Sequence, residues 1–305
     1  MVDLSEFESI SPYTDAEAAE AISKLAEFPL LSQVSQQFFP EEEPEFLKNL
    51  LKQIKTIDDF QILVMQKFVR WVLEHTAKNF SYDGVSNIDP EKKFLALSNH
   101  RDIILDPAIT QLILYTNGIP MTEIAVGDNL ITNKTIEYLI RSNRMIKVVR
   151  GISARELYLS SQLLSKYIRL NITEQRSSIW LAQRQGRTKN GYDITEQGLL
   201  KMLDMSGKAD FQTNFEELNI IPMSISYEYE PCDILKAREL VISFITVVGA
   251  SLSVWSQAVK AKTAPTTRTS TISSDVSFFI LFPFLVSILY FGAQSVLHIY
   301  FNNTM

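Results

Sequence analysis

From Lys92 onward the chain is built of apolar runs too short for helices, "FLALSN", "EIAVG", "MIKVV", "SIWLA" and "IIPMSISYEY", separated by helix-length amphipathic stretches. That alternation restricts the fold more than any other feature. Strands that follow one another through helices lie side by side in the same direction, because a crossover of that length carries the chain back to its starting edge. The expectation is an α/β protein with a central mixed, largely parallel sheet flanked by helices. With 305 residues, 46% of them hydrophobic, the chain has material for one large domain or two modest ones.

The first ninety residues have a different rhythm. "DAEAAEAISKLAEF", "EPEFLKNLLKQI" and "FQILVMQKFVRWVLEHTAKNF" place apolar residues three and four apart, which predicts helices, with the acidic "EEEPE" as a solvated break. No internal repeat is visible. The predicted layout is an N-terminal helical region over 1–90, an α/β domain over 91–239, a linker or interfacial segment over 240–275 and a C-terminal apolar segment over 276–305.

Between Val276 and Met305 there is no Asp, Glu, Lys or Arg, and the run is long enough to cross about 30 Å of hydrocarbon as a helix. One membrane span is expected there. The stretch "LVISFITVVGASLSVWSQAV" before it is also uncharged, but a second span would carry Lys260, Lys262 and Arg268 across the membrane, against the positive-inside bias. The opening "MVDLSEFESISPYTDAEAAE" lacks the basic and apolar regions of a secretory signal. Membrane association, with the catalytic part on the cytoplasmic side, is therefore the expected location.

A net charge of −6 argues against nucleic acid as a partner, since binding to a phosphate backbone needs a strongly basic surface. One cysteine and three scattered histidines provide neither a disulfide framework nor the usual zinc ligand sets, so no metal is expected.

His100 stands at the carboxyl end of the first strand-like run, where α/β proteins usually place their ligand sites. A neutral imidazole takes a proton from a hydroxyl when a carboxylate fixes its other nitrogen, and Asp102 and Asp106 both lie within reach by spacing. The plainer reading makes Asn99, His100 and Asp102 partners of backbone groups in a tight turn, with Asp106 capping the helix ahead of Pro107. Two basic clusters follow the same pattern of a strand and then a polar turn. Lys147 and Arg150 flank "MIKVV", and Arg184, Gly186, Arg187 and Lys189 follow "SIWLA". Glycine there lets backbone approach an anion, and the arginine fork matches phosphate oxygens.

In order and spacing, "NHRDIILDP", "IKVVRG", "AQRQGRTKNG" and "IIPMSISYEY" resemble the four blocks of the PlsC-type glycerolipid acyltransferases, the glycerol-phosphate and lysophosphatidate acyltransferase family. The likeness extends over roughly Phe7 to Arg238. It implies that His100 is the base of an H-x-x-x-x-D pair, that Arg150 and Arg187 bind the acceptor phosphate, and that Pro222 marks the fourth block. Arg101, Lys147 and Arg184 are further candidates for the phosphate, and Gln185 and Gly186 complete the third block. The implied reaction needs no cofactor. It moves a fatty acyl group from acyl-CoA or acyl carrier protein to a glycerol phosphate or lysophospholipid hydroxyl at a lipid surface. Two departures stand out: Asp106 lies one residue further from His100 than the block prescribes, and Gln185 stands where glutamate is usual. They leave open a different lipid acceptor, or an inactive membrane-anchored protein that binds lipid or phosphate.

Overall fold

The computed structural model describes residues 4–150, 153–230, 232–234, 236–241 and 295–301. Five helices open the chain: α1 (Asp15–Leu25), α2 (Leu31–Phe38), α3 (Phe46–Gln53), α4 (Ile57–Phe60) and α5 (Gln66–Thr76), the last two joined by a π-helical turn, Gln61–Met65. A reciprocal cap starts α1, where the Thr14 hydroxyl accepts from Glu17 N–H and the Glu17 carboxylate accepts from Thr14 N–H. Ala18, Ile22, Leu47, Leu51, Phe60 and Val64 form the core of this layer.

The sheet follows the predicted rhythm. Its strands and helices are β1 (Ala77–Asp83), β2 (Leu95–Ser98), α6 (Leu105–Thr116), β3 (Glu123–Gly127), α7 (Lys134–Arg141), β4 (Met145–Val148), α8 (Ala154–Thr173), β5 (Ile179–Ala182), α9 (Gln197–Asp204), α10 (Phe211–Glu216), β6 (Ile220–Tyr227) and β7 (Ser295–Phe301). The strand order is β1-β7-β6-β2-β5-β3-β4. Every pairing is parallel except β6 with β7. The protein is thus α/β with a mixed, mostly parallel seven-stranded sheet between helices, as the sequence led us to expect.

Successive strand residues point to opposite faces, and both faces are covered. On β2 and β5, Leu95, Ile179 and Leu181 join the cluster that includes Ile168 of α8 and Leu203 of α9. Their neighbours Ala96 and Trp180 join the opposite cluster, with Ile109 and Ile113 of α6. This double burial makes the central strands short continuous apolar runs, the form in which the sequence displays them.

Two expectations need correction. The predicted helix over residues 60–80 ends at Thr76, and Ala77–Asp83 becomes β1, so the main sheet already begins inside the predicted helical region. Residues Ser295–Phe301, assigned by sequence to the membrane span, form β7 between β1 and β6. Leu297, Ile299 and Phe301 are buried there, while His298 and Tyr300 are exposed. That period of two marks a half-buried strand, and the absence of charge masked it in the sequence. The rest of the predicted span, 276–294 and 302–305, and nearly all of 240–275 lie outside the described residues. No described helix is long and apolar enough to cross a membrane.

Candidate active site

The chain leaves β2 through a turn that holds both aspartates, each with a separate task. Asp102 Oδ1 accepts from Ile104 N–H at 2.9 Å and Leu105 N–H at 2.8 Å, so Asp102, and not Asp106, satisfies the free donors that open α6. Asp106, in the first turn of α6, reaches backwards. Its Oδ2 accepts from Arg101 N–H at 2.7 Å, Asp102 N–H at 3.0 Å and His100 Nδ1 at 3.1 Å. The extra residue between His100 and Asp106 is taken up in this turn, and the pair still forms. Asp106 is the carboxylate partner of His100.

Asp106 has no exposed surface. Burial pushes its pKa above the usual carboxylate range, and the hydrogen bond from His100 works against that rise. Its other oxygen, Oδ1, accepts from the Tyr227 hydroxyl at 2.9 Å. An ionised carboxylate only accepts, so His100 Nδ1 carries the proton and Nε2 offers a lone pair. Nε2 has no hydrogen-bond partner among the described residues.

The backbone around the imidazole is clamped from three sides. Asn99 acts as an extra rung toward β6, its side chain donating to Ile225 carbonyl at 2.9 Å and accepting from Ile225 N–H at 2.7 Å. Asp193 Oδ2 accepts from His100 N–H at 2.7 Å, and Thr188 N–H donates to His100 carbonyl at 2.9 Å. Trp180 meets the imidazole edge to face, 6.0 Å between centroids.

The structure sorts the predicted basic residues into those at this turn and those away from it. Arg101 pairs with buried Glu230, which also pairs with Lys236, and Lys236 Nζ donates to Arg101 carbonyl at 2.7 Å. Burial holds the Lys236 ammonium down at about 8. Arg187 lies 3.8 Å from Glu239, which Lys189 contacts at 2.5 Å. Arg184, Gln185 and Gly186 occupy the turn after β5, where Gly186 adopts φ +72°, a left-handed conformation that suits glycine. Arg184 has no ion pair among the described residues.

Arg150 follows β4, with its guanidinium lying over Gly127 at the end of β3. A Cβ on Gly127 would stand 2.8 Å from Arg150 Nε, so the glycine makes room for the side chain. Lys147 is different. It sits within β4, has no ion pair with the His100 turn among the described residues, and adds a minor pull to the Lys134 hydrogen bond that chiefly holds the Glu137 carboxylate of α7 below its usual range. Arg141 and Arg144 are structural, bound to Ser11 carbonyl and to Gln61.

Sequence reasoning missed Tyr227, Asp193, Glu230 and Lys236. Only Tyr227 had a signal, as the inward residue that continues Ile221, Met223 and Ile225 at period two. Cys232 lies beside Asp102 and Arg187, but burial raises its thiol to about 11, which leaves it protonated at neutral pH.

An apolar cavity of about 270 Å³ opens between the N-terminal helices and the sheet domain. Ile103, Ile104, Leu105, Pro107 and Ala108 form one wall, and Val64 and Phe68 belong to the facing helices. The turn that holds His100 therefore continues directly into the cavity wall.

No protein-family model matches the chain, and no curated protein matches it. Among solved structures, the chain is similar to the 1-acyl-sn-glycerophosphate (LPA) acyltransferase PlsC from Thermotoga maritima. The identity is 12%, over 70% of this chain and 73% of that one, with a TM-score of 0.36. A likeness this loose decides nothing about the chemistry of the site.

Proposed function

We propose that this protein is an O-acyltransferase that moves a fatty acyl group from a thioester of coenzyme A or acyl carrier protein to a hydroxyl of glycerol phosphate or lysophosphatidate. One observation carries the reading: an imidazole fixed through Nδ1 on a buried carboxylate, in a turn that also walls an apolar cavity. Such a pair abstracts protons, and such a cavity holds an alkyl chain.

In the proposed reaction His100 Nε2 takes the acceptor hydroxyl proton as the oxygen attacks the thioester carbonyl. The tetrahedral oxyanion then collapses, the C–S bond breaks, and the departing thiolate takes the proton from the imidazolium, which returns to the neutral imidazole. An ester and a free thiol result. Arg187, in the turn after β5, is proposed to meet the acceptor phosphate with Arg184 as a further candidate, and the loose Arg187–Glu239 pair can exchange its carboxylate for phosphate oxygens. Arg150, beside Gly127, is proposed as a second phosphate ligand, with Lys147 of β4 a weaker candidate.

The test is turnover by the purified protein with radiolabelled acyl-CoA and acyl carrier protein thioesters against glycerol phosphate, lysophosphatidate and lysophospholipids without a phosphomonoester. His100→Ala should lower turnover at least about 10²-fold while the circular dichroism spectrum stays unchanged. A wild-type protein that transfers no acyl group to any acceptor would replace this reading with that of a lipid- or phosphate-binding protein.

A further inference from the structure

Tyr227 is the last residue of β6, 121 positions after Asp106, and its phenol ends in the same buried pocket. Asp106 Oδ2 has three donors, whereas Oδ1 has one hydrogen bond among the described residues, the one from Tyr227. Both side chains are cut off from bulk water, so nothing else can readily replace that donor. The phenol cannot serve as an acid here, because burial and the nearby Asp106 and Asp102 charges push its ionisation well above its ordinary range. It remains a proton-bearing donor throughout the working pH.

We infer that Tyr227 is a positioning residue that acts through Asp106: its hydroxyl disperses the carboxylate charge and so sets how strongly the pair holds a proton on His100. The inference rests on the acyltransferase reading for its kinetic consequences, but not for its physical content. A carboxylate with a donor on each oxygen has its negative charge spread. Without the donor on Oδ1, the charge is concentrated toward His100, and the imidazolium becomes the more stable form. The other charged groups around the pair come from every element that packs on it. Arg101 and Asp102 lie in the turn, Asp193 is on the His100 amide, and Lys236 is on the Arg101 carbonyl. β5 contributes Trp180, which is uncharged.

Tyr227→Phe keeps the ring in the core and removes only the hydroxyl. The decisive measurement is the pH titration of the His100 imidazole in ¹³C-labelled full-length protein, its signal assigned by loss in His100→Gln. The midpoint should move up by about one unit, a tenfold change in proton affinity. The acid limb of kcat/KM should follow it, with KM little changed. In an Asp106→Asn background the same Tyr227→Phe change should have no further effect. Fluorotyrosine incorporated at position 227, a stronger donor of the same shape, should shift the midpoint down. The inference is overturned if the midpoint does not move in Tyr227→Phe, or moves equally with and without Asp106. A protein with no acyltransferase turnover would remove the functional reading, while the imidazole titration would still decide the role of Tyr227.

Discussion

Two aspartates four residues apart, with the same chemistry, do different work because of where the turn places their oxygens. Asp106→Asn removes the negative charge that stabilises the His100 imidazolium, and its amide must turn an N–H either to the three donors at Oδ2 or to the Tyr227 hydroxyl at Oδ1. Turnover should fall by about 10² to 10⁴-fold. Asp102→Asn keeps an acceptor for Ile104 and Leu105 N–H and loses only a charge near the start of α6. Its cost should be about 0.5–1 kcal/mol of stability, with turnover within a few-fold of wild type. Parallel urea melts and rates check both, and the reverse order would mean that Asp102 is the working partner. At this scale the sequence displays the part of the site that is local. His100 and Asp106 lie close together in the chain, so their spacing could be read. Tyr227 and Asp193 join them from 121 and 93 positions away, and no local pattern announces a contact of that kind.

Legibility among the elements follows burial. β2, β3, β5 and β6 lie inside the sheet, and β4, an edge strand on the other side, keeps Ile146 buried; all five appear as compact apolar runs. β1 is an edge strand, paired with β7 alone among the described residues, and most of its residues are exposed, so "AKNFSYD" has no apolar rhythm and its first four residues read as the end of the preceding helix. The cavity belongs to this scale as well, because it arises only where α6 meets the N-terminal helices, and no single segment encodes it. Ala108 lies on α6 half a turn beyond Asp106 and faces the cavity. Ala108→Phe should fill part of that space without disturbing the His100–Asp106 pair. In competition between acyl thioesters of different lengths, the variant should lose at least about tenfold in kcat/KM for long chains and keep the rate for short ones. Equal losses at every length would place the acyl chain elsewhere.

For the molecule as a whole, the chain's last described segment is a structural member of the sheet. β7 joins β1 to β6, and β1 has no other strand neighbour among the described residues. Leu297, Ile299 and Phe301 are buried in the main core, each contributing on the order of 1.5–3 kcal/mol through removal from water. The end of β7 is fitted closely to the rest: Asn87 donates to Phe301 carbonyl at 2.9 Å, and the same carbonyl lies so near Gly84, at φ +76°, that no Cβ could be accommodated there. A chain ending at Gln294 therefore loses more than seven residues of surface. It leaves β1 unpaired and uncovers an apolar face next to Tyr227, whose register partner is Leu297. Small domains are stable by only about 5–15 kcal/mol, so this loss consumes most or all of the margin. The truncated protein should lose its cooperative thermal transition or aggregate, and lose turnover with it. Full-length Gly84→Val should be destabilised in the same direction, because its side chain displaces the end of β7. A truncated chain that melts like the full protein would show that β7 does not belong to the working fold, and the apolar C-terminal stretch would then be free along its whole length to act as the membrane segment that its lack of charge suggests.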